Sequence, residues 1–228
     1  MDEYRAQILH ALVAEMLFLC KRARPDVQTA VAFLTTRVKD ADKDDWEKLA
    51  RCVKYLRHSK NLVLHLGWNK DVIHTEIDAA FAVHPNMRSQ TGVYMTMGRG
   101  AAYASSIKQK MNTRSSTEAE LVAVDDALPQ VLWINKFMEA HGYSISDSVV
   151  YQDNLSSMLL AKHGKGSSSR RTRHLDIRYF FIQDKIKSKE VSMVHKPSVE
   201  LTADFFTKPL QGKQFNMFRD RIMGLEKQ

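Results

Sequence analysis

Four acidic side chains carry the chemistry this sequence could perform. Asp78 and Asp153 stand at the ends of runs read as strands, Glu120 lies in the first turns of a long helical pattern, and Asp204 lies in a later one. Carboxylates gathered at one point repel one another unless a cation neutralises them. Two divalent ions about 3.5–4 Å apart would do so, and in phosphodiester cleavage such a pair activates water and stabilises the leaving oxygen. Ligation by oxygen alone suits Mg2+, or Mn2+, rather than zinc. Taken singly, each of these residues is more simply read as a solvated charge or a helix cap, and spacing alone does not choose between the readings.

A second group is basic. Between Lys162 and Lys189 stand nine Lys or Arg against Asp176 and Asp184, and this surplus supplies nearly all of the formal net charge of +8. Arg170, Arg171, Arg173, His174 and Arg178, beside glycines and serines, suit the grip of nucleic-acid phosphates by charge and hydrogen bonds. The alternative is a solvated helix face, with Arg178 paired to Asp176. Asn154, next to Asp153, is grouped with the nucleic-acid contacts. Among the histidines, His195 stands nearest in sequence to Asp204, while His74 and His84 flank Asp78 and are explained by packing. Trp133, Phe180 and Phe181, at helical spacing, are expected in the core.

The elements that must position these groups follow from periodicity. Ile8, Leu12, Met16 and Leu19 recur at helical spacing, with Leu9 and Val13 widening the stripe. Pro25 suits the first turn of a second helix carrying Val27, Val31 and Leu34. Asp42, Asp44 and Asp45 suit the N-terminus of a third, whose buried face is predicted to be Trp46, Leu49, Val53 and Leu56. Residues 1–60 thus read as a small helical bundle with apolar faces left for a partner.

After Lys60 the period changes to two. Strands are predicted over 63–66, 73–78, 91–96 and 101–108, then a long helix capped near Ser115 and Ser116 that contains Pro129. A strand over 148–152, helices over 155–162 and through Ile177 to Ile186, a strand over 190–195 and a helix containing Leu201, Phe205 and Phe206 complete the pattern. The fold class is α/β: a mixed sheet flanked by helices over residues 61–211, preceded by the bundle and followed by a helical tail over 212–228. The two cysteines, Cys20 and Cys52, sit in helical patterns and read as free thiols of a reducing compartment. The most apolar stretch, Ile8–Cys20, is interrupted by His10 and Glu15 and is too short to span a bilayer, so no membrane partner is expected.

The segments NTRSSTEAELVAV, YQDNLSSMLLAK, RTRHLDIRYFFI and ADFFTKPLQG, in this order and spacing, closely resemble the ribonuclease H region of copia-type retrotransposon polyproteins. MLFLCKRARPDVQTAVAFL resembles the thumb that follows the polymerase palm in the same polyproteins. The resemblance implies a ribonuclease H-like sheet, a two-metal nuclease cutting the RNA strand of RNA–DNA hybrids during reverse transcription, and a carboxylate quartet at Asp78, Glu120, Asp153 and Asp204. Cellular ribonucleases H carry a histidine in this region for proton transfer or product release, and by that likeness His195 is a candidate catalytic residue; the copia-type pattern does not regularly supply one, and a satisfied strand-end histidine is the alternative reading.

Two departures stand out. In EIDAAFAVHPNMRSQTG, Ala80 and Phe81 replace the family's second Asp and Trp, and the polymerase Tyr-x-Asp-Asp signature is missing, with Asp125-Asp126 in the wrong context for it. Expected partners are the hybrid, the reverse transcriptase palm of the same polyprotein, and a second copy bound through the apolar faces of the bundle. The expected location is the cytoplasm, in a virus-like particle, or the nucleus. An inactive connection or hybrid-holding module is the principal alternative. A DNA-strand-transfer enzyme fits less well, because the order here puts Glu120 second and two Asp after it.

Overall fold

A computed structural model describes residues 1–68, 71–163 and 173–226, without the side chains of residues 163 and 173–176. The N-terminal helices are α1 (Glu3–Arg22), α2 (Gln28–Thr35, entered through a 3-10 turn at Pro25–Val27) and α3 (Lys43–His58). They bury Leu9, Val13, Met16, Cys20, Val31, Leu34 and Leu49 against one another. The α1 face is therefore turned by one residue from the predicted stripe, with Leu9 and Val13 at its centre and Ile8 and Leu12 only half-buried.

The α3 face is turned as well. Val53 is exposed, and Asp45 is buried in its place. Polar bonding drives this rotation: Asp42 and Asp45 form a reciprocal capping box, and Arg37 donates to Asp45 at 3.0 Å. From the same helix, Tyr55 donates to Asp26 at 2.7 Å, and Asp26 also holds the buried Arg24 guanidinium through two bonds of 2.9 and 2.7 Å. The Arg-Pro-Asp stretch thus fastens α1 to α3. Both cysteines are free thiols, as expected.

The main sheet comprises β2 (Val72–Ala80), β3 (Gln90–Thr96), β5 (Tyr103–Lys108), β6 (Asp147–Gln152) and β7 (Ser192–His195); β1 (Gly67–Trp68) and β4 (Gly98–Arg99) make a separate two-stranded ladder. The sheet order is β5-β3-β2-β6-β7. The β2–β3 and β3–β5 pairs are antiparallel, and the β2–β6 and β6–β7 pairs are parallel. Helices α4 (Ser116–Ala140), α5 (Leu155–His163) and α6 (Arg173–Lys187) flank it, and α7 (Gly212–Ile222) closes the chain. This is the mixed sheet flanked by helices that the sequence predicts.

Period-two alternation divides β2 between two faces. Ile73, Ile77 and Ala79 enter the core built with Leu121, Val124, Leu128 and Val131 of α4. Glu76 and Asp78, on the alternate positions, are equally buried and face a second layer made by residues 202–207. Ser115 caps α4 by accepting from Glu118 N, and Pro129 lies inside the helix without ending it.

Three predicted features differ. Residues 62–66 form no strand: His65 N donates to Met223 O at 2.9 Å, so the segment follows the end of α7 instead of a sheet edge. The predicted helix around Leu201–Phe206 is two 3-10 turns, Ser198–Glu200 and Thr202–Phe206. Trp133 and Phe180 are 57% and 52% exposed, because Leu128, Val131 and Ile134 of α4 and Tyr179 and Ile182 of α6 occupy the inward faces; Phe181 alone of the three packs against the core.

The turn at Thr202–Phe206 is pressed on β3 at Gly92. A Cβ there would lie 2.7 Å from Thr207 Cγ2 and 2.8 Å from Ala203 O, closer than packed atoms tolerate. Gly92→Ala should destabilise the protein by about 2 kcal/mol, the usual cost of overpacking. For a chain of this size that lowers the thermal midpoint by roughly 4–8 °C. An unchanged midpoint in a melting experiment would show that the turn does not rest on the strand. The bundle reaches the same place from outside, with Thr29 donating to Phe205 O at 2.6 Å. From the other end of the chain, Phe218 and Ile222 of α7 are fully buried against Tyr94, Phe205 and Phe206. Among the described residues, no helix is long and apolar enough to cross a membrane.

Candidate metal centre

Asp78 stands in β2 opposite Gly92 of β3. Glu120 comes from the second turn of α4, and Asp153 follows directly on β6, the parallel neighbour of β2. Three elements with different connections therefore meet at one point, and a ligand oxygen from each of these three carboxylates lies within 4.8 Å of the others. Asp78 and Glu120 are buried, and Asp153 is half-buried at the rim.

Asp204 enters from the second layer, on the 3-10 turn. It is buried, and Lys208 Nζ joins it to the cluster, 2.7 Å from Asp204 Oδ2 and 3.9 Å from Asp78 Oδ2. Ser198 Oγ also donates to Asp204 Oδ2 at 3.3 Å, while Asp204 Oδ1 is buried with no hydrogen-bond partner among the described residues.

Burial without enough compensating charge moves the acids upward. Asp78 is pushed up to about 6, first by burial and then by Asp204, against the pull of the Thr207 hydroxyl and Lys208. Glu120 is pushed up to about 9 by burial and then by Asp78 and Asp153, against a hydrogen bond from Gln152. That bond, from Nε2 to Oε2 at 3.1 Å, fixes the Glu120 carboxylate, and Ser157 Oγ holds Gln152 from behind. Oxygen donors from separate elements, an orphaned buried oxygen and acids raised by burial and then by mutual repulsion together suit a hard divalent cation. Asp78, Glu120 and Asp153 would hold it, with Asp204 beside them.

The remaining candidates are placed as follows. His195 Nε2 lies 3.1 Å from the Asp153 backbone carbonyl, at the rim. His74 sits against Tyr151 with Nδ1 3.1 Å from its hydroxyl, and His84 against Gln90 at 2.7 Å, which accounts for both by packing. Asn154 Oδ1 accepts from Ser157 N at 3.0 Å, so its side chain is engaged at the start of α5. Arg178 is ion-paired with Asp125 and, at 3.6 Å, with Asp126, which ties α6 to α4. Arg170 and Arg171 lie outside the described residues; Arg173 and His174 lie in α6, but their side chains, like that of Asp176, are outside them.

Four residues at the centre escaped the sequence reading. Lys208 and Thr207 touch the carboxylates directly, and Gln152 orients Glu120. Glu76 accepts from Lys196 Nζ at 2.6 Å and from Thr202 N, which anchors the turn bearing Asp204. The one local signal was the four-residue spacing of Asp204 and Lys208, which suits an ion pair.

No family model matches the chain. Its homologues are retrovirus-related Pol polyproteins of plant transposons. It is 26% identical over 212 residues to that of transposon TNT 1-94 of Nicotiana tabacum, covering 92% of this chain and 16% of the polyprotein. It is 30% identical over 202 residues to that of transposon RE2 of Arabidopsis thaliana, covering 87% and 14%. The chain thus spans about one sixth or less of the length of these polyproteins. Among solved structures, LC11-RNase H1 isolated from compost is similar at 18% identity and a TM-score of 0.45, over 60% of this chain and 93% of that one. Prototype foamy virus protease-reverse transcriptase is similar at 12% identity and a TM-score of 0.40, over 68% and 20%.

Proposed function

We propose that the chain is a ribonuclease H, a metal-dependent endoribonuclease that hydrolyses the RNA strand of RNA–DNA hybrids during retrotransposon reverse transcription. The observation that carries the reading is the meeting of Asp78, Glu120 and Asp153, with Asp204 joined through Lys208. Similarity to transposon Pol polyproteins over most of the chain supports the setting.

In this reading Asp78 and Glu120 form the rigid inner wall, held by β2, α4 and the Gln152 amide. Asp153, half-buried, is the member that faces an approaching strand. Asp78, Glu120, Asp153 and Asp204 would hold a pair of divalent cations, Mg2+ or Mn2+, whose chemistry when bound would be to activate water and stabilise the departing 3′-oxygen. His195, whose Nε2 is braced on the Asp153 carbonyl, would exchange a proton with solvent at its other ring nitrogen, Nδ1. Asn154, Arg170, Arg171, Arg173 and His174 are assigned to contacts with the hybrid, phosphates first; Arg178 would have to leave Asp125 and Asp126 to join them.

The test is cleavage of a labelled hybrid beside single-stranded RNA and duplex DNA, each with and without Mg2+. Cutting confined to the RNA of the hybrid, dependent on Mg2+ and leaving 3′-hydroxyl ends, is the expected result. One observation favours a second reading, a nuclease-inactive hybrid-holding module: Lys208 already neutralises part of the acidic cluster. Salt-sensitive hybrid binding with no turnover in either metal would decide for that module.

A further inference from the structure

The acidic centre is not symmetric in its charge compensation. Among the described residues, Glu120 and Asp153 form no ion pair, whereas Asp78 and Asp204 share the Lys208 ammonium. The two carboxylates on the shared side are 3% and 5% exposed, but the Lys208 side chain is 41% exposed. Its backbone is fixed: Lys208 N donates to Asp204 O at 3.0 Å, and the neighbouring Thr207 hydroxyl bonds Asp78. Only the aliphatic stem and its charged head are therefore free to swing between the carboxylates and water.

An ammonium held between two buried carboxylates and a divalent cation bound to the same oxygens exclude each other, by charge as well as by space. We infer that Lys208 is a positioning residue that occupies the Asp78–Asp204 side of the centre and competes with a cation there. The side formed by Asp78, Glu120 and Asp153 then loads first. The second cation binds only as Lys208 is displaced into solvent. This inference rests on the proposed metal centre and adds an order of loading to it.

The test is Mn2+ binding to the full chain, followed by isothermal titration and by the loss of the free-ion electron paramagnetic signal, with no substrate present. Wild-type protein should bind one ion well and a second weakly. Lys208→Met should tighten the second site by about tenfold or more, the effect of removing a like charge a few ångströms away. Lys208→Gln, which keeps a donor for Asp204, guards against a folding defect and should behave as Lys208→Met. Lys208→Arg, which keeps the charge, should restore the wild-type isotherm. If wild type binds one ion and the neutral variants leave the second step unchanged, the role of Lys208 is overturned while the metal centre stands. If neither wild type nor variants bind Mn2+, both fall.

Discussion

Asp153→Asn should reduce Mg2+-dependent cleavage of an RNA–DNA hybrid by about a thousandfold or more, equivalent to several kcal/mol of transition-state stabilisation. The size follows from what the substitution removes and what it leaves. Asn keeps the volume of Asp but takes away an anionic ligand from a group of three whose oxygens lie within 4.8 Å. Asp153 is half-buried, forms no ion pair among the described residues, and follows β6 without contributing to its ladder. Loss of stability should therefore be small, and the thermal midpoint without metal should stay near that of wild type. The His195 contact is to the Asp153 backbone carbonyl, so it survives the change. A folded Asp153→Asn protein that cleaves at the wild-type rate would remove Asp153 from the site and the nuclease reading with it.

Where the sequence was informative, the signal was local. Alternation in β2 placed Ile73 and Ile77 inward, and the hydroxyl before Ser116 marked the start of α4 correctly. The carboxylates were legible as a set only because whole segments around Glu120, Asp153 and Asp204 resembled one family. Their separations, taken alone, predicted nothing. What stayed hidden depended on distant partners. Residues 202–206 read as a helix, yet their backbone is held by Glu76 and lies against Gly92, more than a hundred positions earlier in the chain. Arg178 had an obvious sequence neighbour in Asp176, but it is claimed by Asp125 and Asp126, which α4 presents across the packed helices. Trp133 and Phe180 failed for another reason: helical spacing identifies a face, and the smaller aliphatic residues of the opposite face won the core. Lys208 combined both difficulties, since its pairing with Asp204 is local and its reach to Asp78 is not.

Burial of these acids, and after it their crowding, gives the metal-free protein a distinctive response to pH. Glu120 holds its proton up to about 9 in the folded chain, against an ordinary value of 4.5, and Asp78 up to about 6, against 3.8. Between each pair of values the folded state binds more protons than the unfolded one, so raising the pH favours unfolding. The stabilisation is complete below about pH 4, is lost through both acids from there to about 6, and is lost through Glu120 alone from about 6 to about 9. In chelator, the thermal midpoint should fall by about 10 °C between pH 5 and pH 9, corresponding to a few kcal/mol for a chain of this size. Glu120→Gln carries no ionisable proton and keeps its size, so it should flatten the curve above pH 6 while leaving the Asp78 portion in place. Mg2+ should act oppositely, because a cation favours the deprotonated carboxylates. Its stabilising effect should grow with pH in wild type and nearly vanish in Glu120→Gln. A midpoint that rises from pH 5 to pH 9 in chelator would mean that these acids are compensated by a charge other than Lys208, and that the centre has no unmet demand for a cation.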